Sequence, residues 1–375
     1  MHILQPMKRR SVHHAVGSGR TVVAAAAGIC LIGAGVWWTM RGTAPTAGSD
    51  PDPAPNRRQS ASRGNGQSDG GAGQAGKVSL AEIVALCDGW EIPRLTREQI
   101  ENHLDRSGRP ISGLLAASNL IKGPEYLLEA AKRSPNDPRV LLAVMLYGGD
   151  ESRLGALSAF RAAAPDNSLG DYFQALEDFR AGRTDEALAA VAAATAKPGF
   201  ESYALDTRGE MERLYRSAGY SPQAARVVAM FRDSQAGNLE LAGLGNHLGA
   251  EIRRAAARGD TARSLTLARQ GLALAERIRR TDTLLARSAA SAHEMSVLAA
   301  LPEALVIEPG GPGVGEMMSR CRSAKAEIEA LASMAGHLSE IAPHDAERYY
   351  DLAWQEGEFQ AARWLKAKLA IGEVR

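Results

Sequence analysis

No Cys-x-x-Cys pair and no Cys/His cluster with metal spacing occurs in this chain, whose three cysteines, Cys30, Cys87 and Cys321, stand far apart. That excludes a zinc ribbon, a thioredoxin-type redox motif and a disulfide-dense scaffold. A Cys87–Cys321 bridge stays open, as does the alternative of free buried thiols. Aromatic residues make up only 5% of the chain and runs of β-branched residues are rare, which argues for helix over strand. No nucleophile elbow, serine–lysine motif or EF-hand loop is present, so no catalytic residue, cofactor or metal is assigned.

From Arg41 to Lys77 there is no Leu, Ile, Val, Met or aromatic residue. Such a segment cannot bury enough surface to offset its ordering entropy, and its composition predicts a disordered leash. A flexible chain of that length spans roughly 30–35 Å. The preceding stretch is its opposite: Thr21–Met40 is a run of twenty residues without a charge. At about 1.5 Å per residue it covers the roughly 30 Å hydrocarbon core, as a single transmembrane helix would. Lys8, Arg9, Arg10 and Arg20 precede it, and after Arg41 no cation follows until Arg57. This bias predicts residues 1–20 in the cytoplasm and everything beyond Met40 outside, with Trp37 and Trp38 in the far headgroup layer. A cleaved secretory signal is the alternative. The length of the apolar run speaks against it, as does Pro45 directly behind the small triplet Gly42-Thr43-Ala44.

Net charge is +1, but its distribution is uneven. Residues 1–77 hold nine Lys/Arg against three Asp/Glu, which leaves 35 against 40 for residues 78–375. A basic tail is thus joined to a mildly acidic domain, without the footprint of a nucleic-acid binder. Within that domain, residues 251–290 carry nine arginines against Glu251, Asp260, Glu276 and Asp282. Arg253, Arg254, Arg258, Arg263 and Arg269 are candidates for an acidic peptide, an anionic glycan or lipid headgroups, because guanidinium pairs bidentately with carboxylate and phosphate. A solvated helix face with internal Glu–Arg pairs is the competing expectation.

Beyond Val78 the pattern predicts helix after helix. Ser79 with Glu82, and Thr96 with Gln99, have capping-box spacing. Pro138 after Asp137 and Pro222 after Ser221 occupy first-turn positions. Apolar residues recur at three and four, as in Ile83, Val84, Leu86, Cys87 and in Leu141, Leu142, Met145, Leu146. Gly148 and Gly182 lie 34 residues apart, and Pro165 and Pro198 lie 33 apart, with Pro135 closing an earlier unit. The unit from Tyr172-Phe173-Gln174-Ala175-Leu176 through Gly182 and Ala187 to Pro198 resembles a tetratricopeptide repeat. Gly219 with Ala224, and Gly357 with Ala362, repeat the glycine-to-alanine step. A single hairpin of this kind cannot bury its apolar faces alone, so neighbours must stack.

The resemblance covers residues 123–235 and a last hairpin near 345–370. It departs from the family at Asp178, where a large aromatic belongs, and at long helices expected over 238–258, 260–280, 281–301 and 314–338. It implies an all-α, irregular solenoid of helical hairpins, and a non-catalytic adaptor that docks a protein or peptide in a groove between first-helix faces.

Other motifs are incomplete. Gly310 and Gly315 have phosphate-loop spacing, but Glu316 and Met317 stand where Lys and Ser/Thr belong, so an interhelical loop is expected. His293-Glu294 lacks the second histidine of a metalloprotease helix. His247 near Glu251, and His344 with Asp345 and Glu347, are candidates for small polar sites or ordinary surface pairs. Tyr349, Tyr350, Trp354, Phe359 and Trp364 predict the packing stripe of a terminal hairpin. The abundance of Ala, Arg and Gly points to a bacterial source; with the single-pass anchor at Thr21–Met40 in the inner membrane, the domain is expected to be extracytoplasmic, and periplasmic where the envelope is double. An envelope enzyme with paired carboxylates, acting on wall glycans, is the alternative; a purely structural tether is the third.

Overall fold

The computed structural model describes residues 92–372 except 122, 233–235 and 282, all within the compact unit Thr46–Arg375. The basic tail, the apolar run Thr21–Met40, the leash 41–77, the Ser79–Glu82 cap, and Cys30 and Cys87 lie outside the described residues. Among the described residues no helix is long and apolar enough to cross a membrane. They are all helical and form no strand; two isolated bridges, Asn167 with Gly199 and Val306 with Gly313, are the only extended pairings among them.

The first seven helices are α1 (Arg97–Ser107), α2 (Ile111–Leu120), α3 (Glu125–Arg133), α4 (Pro138–Tyr147), α5 (Asp150–Ala163), α6 (Leu169–Arg180) and α7 (Thr184–Ala196). Then come α8 (Ala204–Ser217), α9 (Pro222–Arg232), α10 (Ala236–Ala242), α11 (Leu244–Ala257), α12 (Thr261–Arg279), α13 (Leu284–Leu298), α14 (Val314–Ala335), α15 (Pro343–Glu356) and α16 (Glu358–Gly372). Local chemistry sets the boundaries. Thr96 and Gln99 form the reciprocal capping box of α1, and Asp137 caps α4 with Pro138 in its first turn. Ser221 Oγ accepts from Ala224 N at 3.2 Å at the start of α9. Helices α3, α5 and α7 each end two residues before a proline, Pro135, Pro165 and Pro198. Gly182 and Gly259 take φ of +74° and +76°, a left-handed turn that a side chain would strain, so α6–α7 and α11–α12 reverse through the same three-residue connection.

Helices α2 to α7 pack in chain order, each on the next. Then the order changes. Helix α8 returns to lie on α2 and α1, α9 packs on α15, and α7 meets α12. Helices α12, α13, α14, α16, α15, α9, α8 and α2 complete a closed circuit of packed neighbours. Two apolar cores result, one around α1–α3, α8, α9, α15 and α16, the other around α5–α7 and α10–α13. The terminal aromatics belong to the first: Tyr349, Tyr350 and Phe359 are buried, and Arg226 lies over the Trp354 ring at 5.7 Å. The last hairpin is therefore joined to α9 rather than capping a free end.

The helix expected over 238–258 is divided at Gly243. There Gly243 N bonds Glu240 O, and Asn246 N bonds Gly243 O, both i to i+3 contacts of 3.1 Å that tighten the turn. Beyond it, Gly245 and Gly249 bring α11 against α13. A Cβ on Gly249 would lie 2.7 Å from the backbone oxygen of Ser296. Replacing Gly249 by Ala is expected to cost about 1–3 kcal/mol by forcing the two helices apart, read as a lower urea midpoint with an unchanged slope. An unchanged midpoint would show that this approach is not tight.

Candidate functional site

The alternate helices α2, α4, α6, α8 and α10 converge on one pocket of about 80 Å³. Its floor is apolar: Leu115 from α2, Leu142 and Leu146 from α4, and Leu169 and Phe173 from α6. The helical period places these residues on the inward stripe of each first helix, and Phe173 is fully buried. Part of the lining is open to solvent. Tyr147 lines the pocket yet is 43% exposed, while Leu205 (73%) and Leu239 (37%) directly follow the lining residues Ala204 and Asn238.

One side of the lining is polar. Arg139 donates through Nε (3.0 Å) and Nη2 (2.6 Å) to Asp137, whose carboxylate also accepts from Arg139 N. The Arg139 guanidinium holds the Asp137 carboxyl below the usual range even though burial opposes its charge. Tyr203 takes φ +56°, a left-handed conformation rare for a bulky residue. It is fixed there by its neighbours. Glu201 Oε1 accepts from Tyr203 N at 2.8 Å. Asn167 Oδ1 accepts from Leu169 N and Glu201 N, and its amide donates to Glu201 O. Ser168 Oγ ties the same loop through Gly199 O at 2.6 Å. Burial raises the Tyr203 phenol. Sequence reading did not single out Tyr203 or Asn167; the Asn167–Glu201 bonds that hold this loop join residues 34 apart and leave no local signature.

A second polar cluster lies between α1, α2 and α8. Glu210 is buried and bonds His103 Nε2 (3.2 Å), Ser112 Oγ (3.4 Å) and Arg213 Nε (2.8 Å). Burial works against its charge, but Arg213 and His103 outweigh that and lower its pKa. Histidine and serine both bond the carboxylate rather than each other, which is not the order that activates a serine. The other buried carboxylates are likewise matched: Asp171 with Arg161 and Lys197, Asp178 with Arg183, and Glu251 with Arg254. Among the described residues no group of three His, Cys, Asp or Glu side chains could hold a metal.

The candidate arginines do not converge on the pocket. Arg253, Arg254, Arg258 and Arg263 are exposed around the α11–α12 turn, and Arg269 lies further along α12. Arg254 pairs with Glu251, Arg263 faces Asp185 at 3.9 Å, and Arg269 bonds Glu308 (2.7 Å) and Ile307 O (2.6 Å). Their neighbours are also engaged. Arg277 donates to the carbonyls of Ala194, Thr195 and Lys197, closing the end of α7. Arg279 bridges Glu276 and Glu294, and Arg280 faces Glu276.

The remaining motifs resolve into structure. Val314 N and Gly315 N donate to Leu305 O and Glu303 O, so those amides of the glycine-rich loop are already used. His293 is fully buried and bonds Gly271 O, and Glu294 holds Arg279. His247 stacks on Phe179 with ring centroids 4.9 Å apart; burial first, then Arg180, keeps it below the usual histidine range. His344 faces Asp345 at 3.3 Å on an exposed turn. Cys321 is a free buried thiol near Ser291 O, and burial raises it to about 11. No family model, no curated protein and no solved structure matches this chain.

Proposed function

We propose that the chain is a non-catalytic adaptor, tethered to the inner membrane of a bacterial envelope, whose tetratricopeptide-like hairpins hold a protein or peptide partner in the pocket between their first helices. The carrying observation is that pocket: an apolar floor supplied by α2, α4 and α6, a lining completed by α8 and α10, and Tyr147 exposed at its edge. Its size favours a partner side chain over a small molecule. Cofactor and ligand sites run to about 300–1,000 Å³, and a cavity of ~150 Å³ is needed to take benzene. A space of about 80 Å³ suits one aliphatic side chain. The buried carboxylates, each committed to a cation, support adaptor over hydrolase. The uncharged run Thr21–Met40 with its basic flank, and the apolar-free leash behind it, support the tether and the periplasmic placement of the domain.

A photoreactive residue placed at Leu205 or Leu239 in cells tests this. The expected result is a crosslink from both positions to the same segment of one envelope protein, lost when Ala143→Leu fills the pocket. Leu128, exposed on α3, which contributes no residue to the lining, should give none. Equal products from all three positions, or none from any in well-inserted protein, would reject the adaptor role.

A further inference from the structure

We propose that Gly237 sets the selectivity of the pocket, which admits one uncharged aliphatic side chain, of about leucine size, from a peptide partner. This rests on the pocket being a docking site, and it adds what the site accepts and which residue decides. The first support is the glycine itself. Gly182 and Gly259 serve left-handed turns, and Gly245 and Gly249 let α11 lie against the backbone of α13. Neither reason holds for Gly237. It stands inside α10 without a positive φ. The nearest neighbours of a Cβ built there are side-chain atoms, Phe173 Cζ at 3.5 Å and Leu146 Cδ1 at 3.7 Å, at ordinary van der Waals distances. The fold therefore accepts alanine at this position. What the missing side chain leaves open is space over Phe173 and Leu146, both part of the pocket floor.

The second support is size. The space of about 80 Å³ falls short of the ~150 Å³ that holds a benzene ring, which shuts out aromatic side chains. The third support is charge. Among the described residues that line the pocket, Arg139 alone carries a charge. Its Nε and Nη2 bond Asp137, and its Nη1 lies 3.9 Å from Asp206 Oδ2. Two carboxylates thus face one guanidinium, and an acidic side chain finds no free partner. A lysine or arginine would leave water for an apolar floor, a desolvation cost that the floor does not offset. A neutral aliphatic chain remains, and its burial raises affinity about fourfold per methylene.

The test uses purified full-length protein and the peptide acetyl-Gly-Ser-X-Ser-Gly-amide, with the diazirine analogue of leucine at X. After irradiation, labelled residues are read by mass spectrometry, and label is expected on Leu146 and Phe173. Unlabelled peptides with leucine, alanine, phenylalanine, glutamate or lysine at X then compete. Leucine should halve the label at about a tenfold lower concentration than alanine, and the aromatic and charged peptides should not compete. Gly237→Ala should cut the label about fourfold, the factor for one methylene. Its urea midpoint should not fall, because alanine favours helix over glycine. The competition series uses the natural chain, so its result stands even where the variant folds poorly. Equal competition by leucine, phenylalanine and glutamate, or label only outside the pocket, would overturn the proposal. So would unchanged labelling of a stable Gly237→Ala protein. If these results come while the photoreactive residues at Leu205 and Leu239 still capture the envelope partner, the adaptor role stands and this selectivity fails. If the leucine preference is found and no partner is captured, the selectivity stands and the adaptor role fails.

Discussion

Phe173→Ala is expected to destabilise the domain by about 3–5 kcal/mol, the usual cost of truncating a buried aromatic. Phe173 is fully buried, its ring lies 6.0 Å from the Arg153 guanidinium, and it forms part of the pocket floor. Arg153 in turn binds Glu177 (2.8 Å) and Glu240 (2.5 Å), joining α5, α6 and α10. Losing the ring removes apolar contact and also loosens that network beneath the pocket. For a domain of this size the melting temperature should fall by roughly 10 °C. Phe173→Leu, which keeps most of the volume, should cost less than about 1.5 kcal/mol. Equilibrium unfolding in urea measures both. Equal small effects would mean that Phe173 packs against solvent-filled space.

Helix boundaries were legible because they are local. Thr96 with Gln99, Asp137 with Pro138, and the prolines two residues past α3, α5 and α7 act within one turn of the chain. Apolar spacing likewise gave the inward stripes of α4 and α6. What the pattern could not convey was which helix meets which. The return of α8 to α1 and α2 brings Glu210 to His103 across 107 positions, and neither residue is unusual in its own neighbourhood. The pocket was anticipated only as a groove between first-helix faces, implied by the family resemblance. Its wall at Tyr203 depends on the distant Asn167. The arginine-rich stretch drew notice through composition, which is blind to partners such as Glu308, Asp185 and the carbonyls ending α7.

Acid lability is the second large effect. His293 lies fully buried between α10, α11, α12 and α13, and burial lowers its pKa to about 4 despite the opposing pull of the Gly271, Ala242 and Leu241 carbonyls. In the unfolded chain it titrates near 6.5. Above that pH both states are neutral and stability is complete. Between about 6.5 and 4 the unfolded chain takes up a proton that the folded one refuses, so stability falls with pH by up to ~3 kcal/mol. Below about 4 the loss levels off. The carboxylates of Glu210, Glu129 and Asp137, whose folded pKa values are lowered, lose their contribution only as pH falls below about 4.3, a separate and lower window. Urea midpoints at pH 7.5, 5.5 and 4.5 should decline steeply for the natural chain and less steeply for His293→Leu, in which His247, also lowered by burial, still contributes. The variant starts lower, because Gly271 O is left without its donor. A level profile for the natural chain would mean that His293 is not held neutral.

The closed circuit of helices also sets an order of assembly during synthesis. Helix α2 ends at Leu120, and α8, which covers it, begins at Ala204, 84 residues later. At about 5–20 residues per second, the apolar side of α2 waits roughly 4–17 s for its cover. Helix α9 then waits for α15 across a further hundred or so residues. A nascent chain of this protein therefore emerges with sticky surfaces that local folding cannot hide, and it should depend on a holding chaperone until α8 is out.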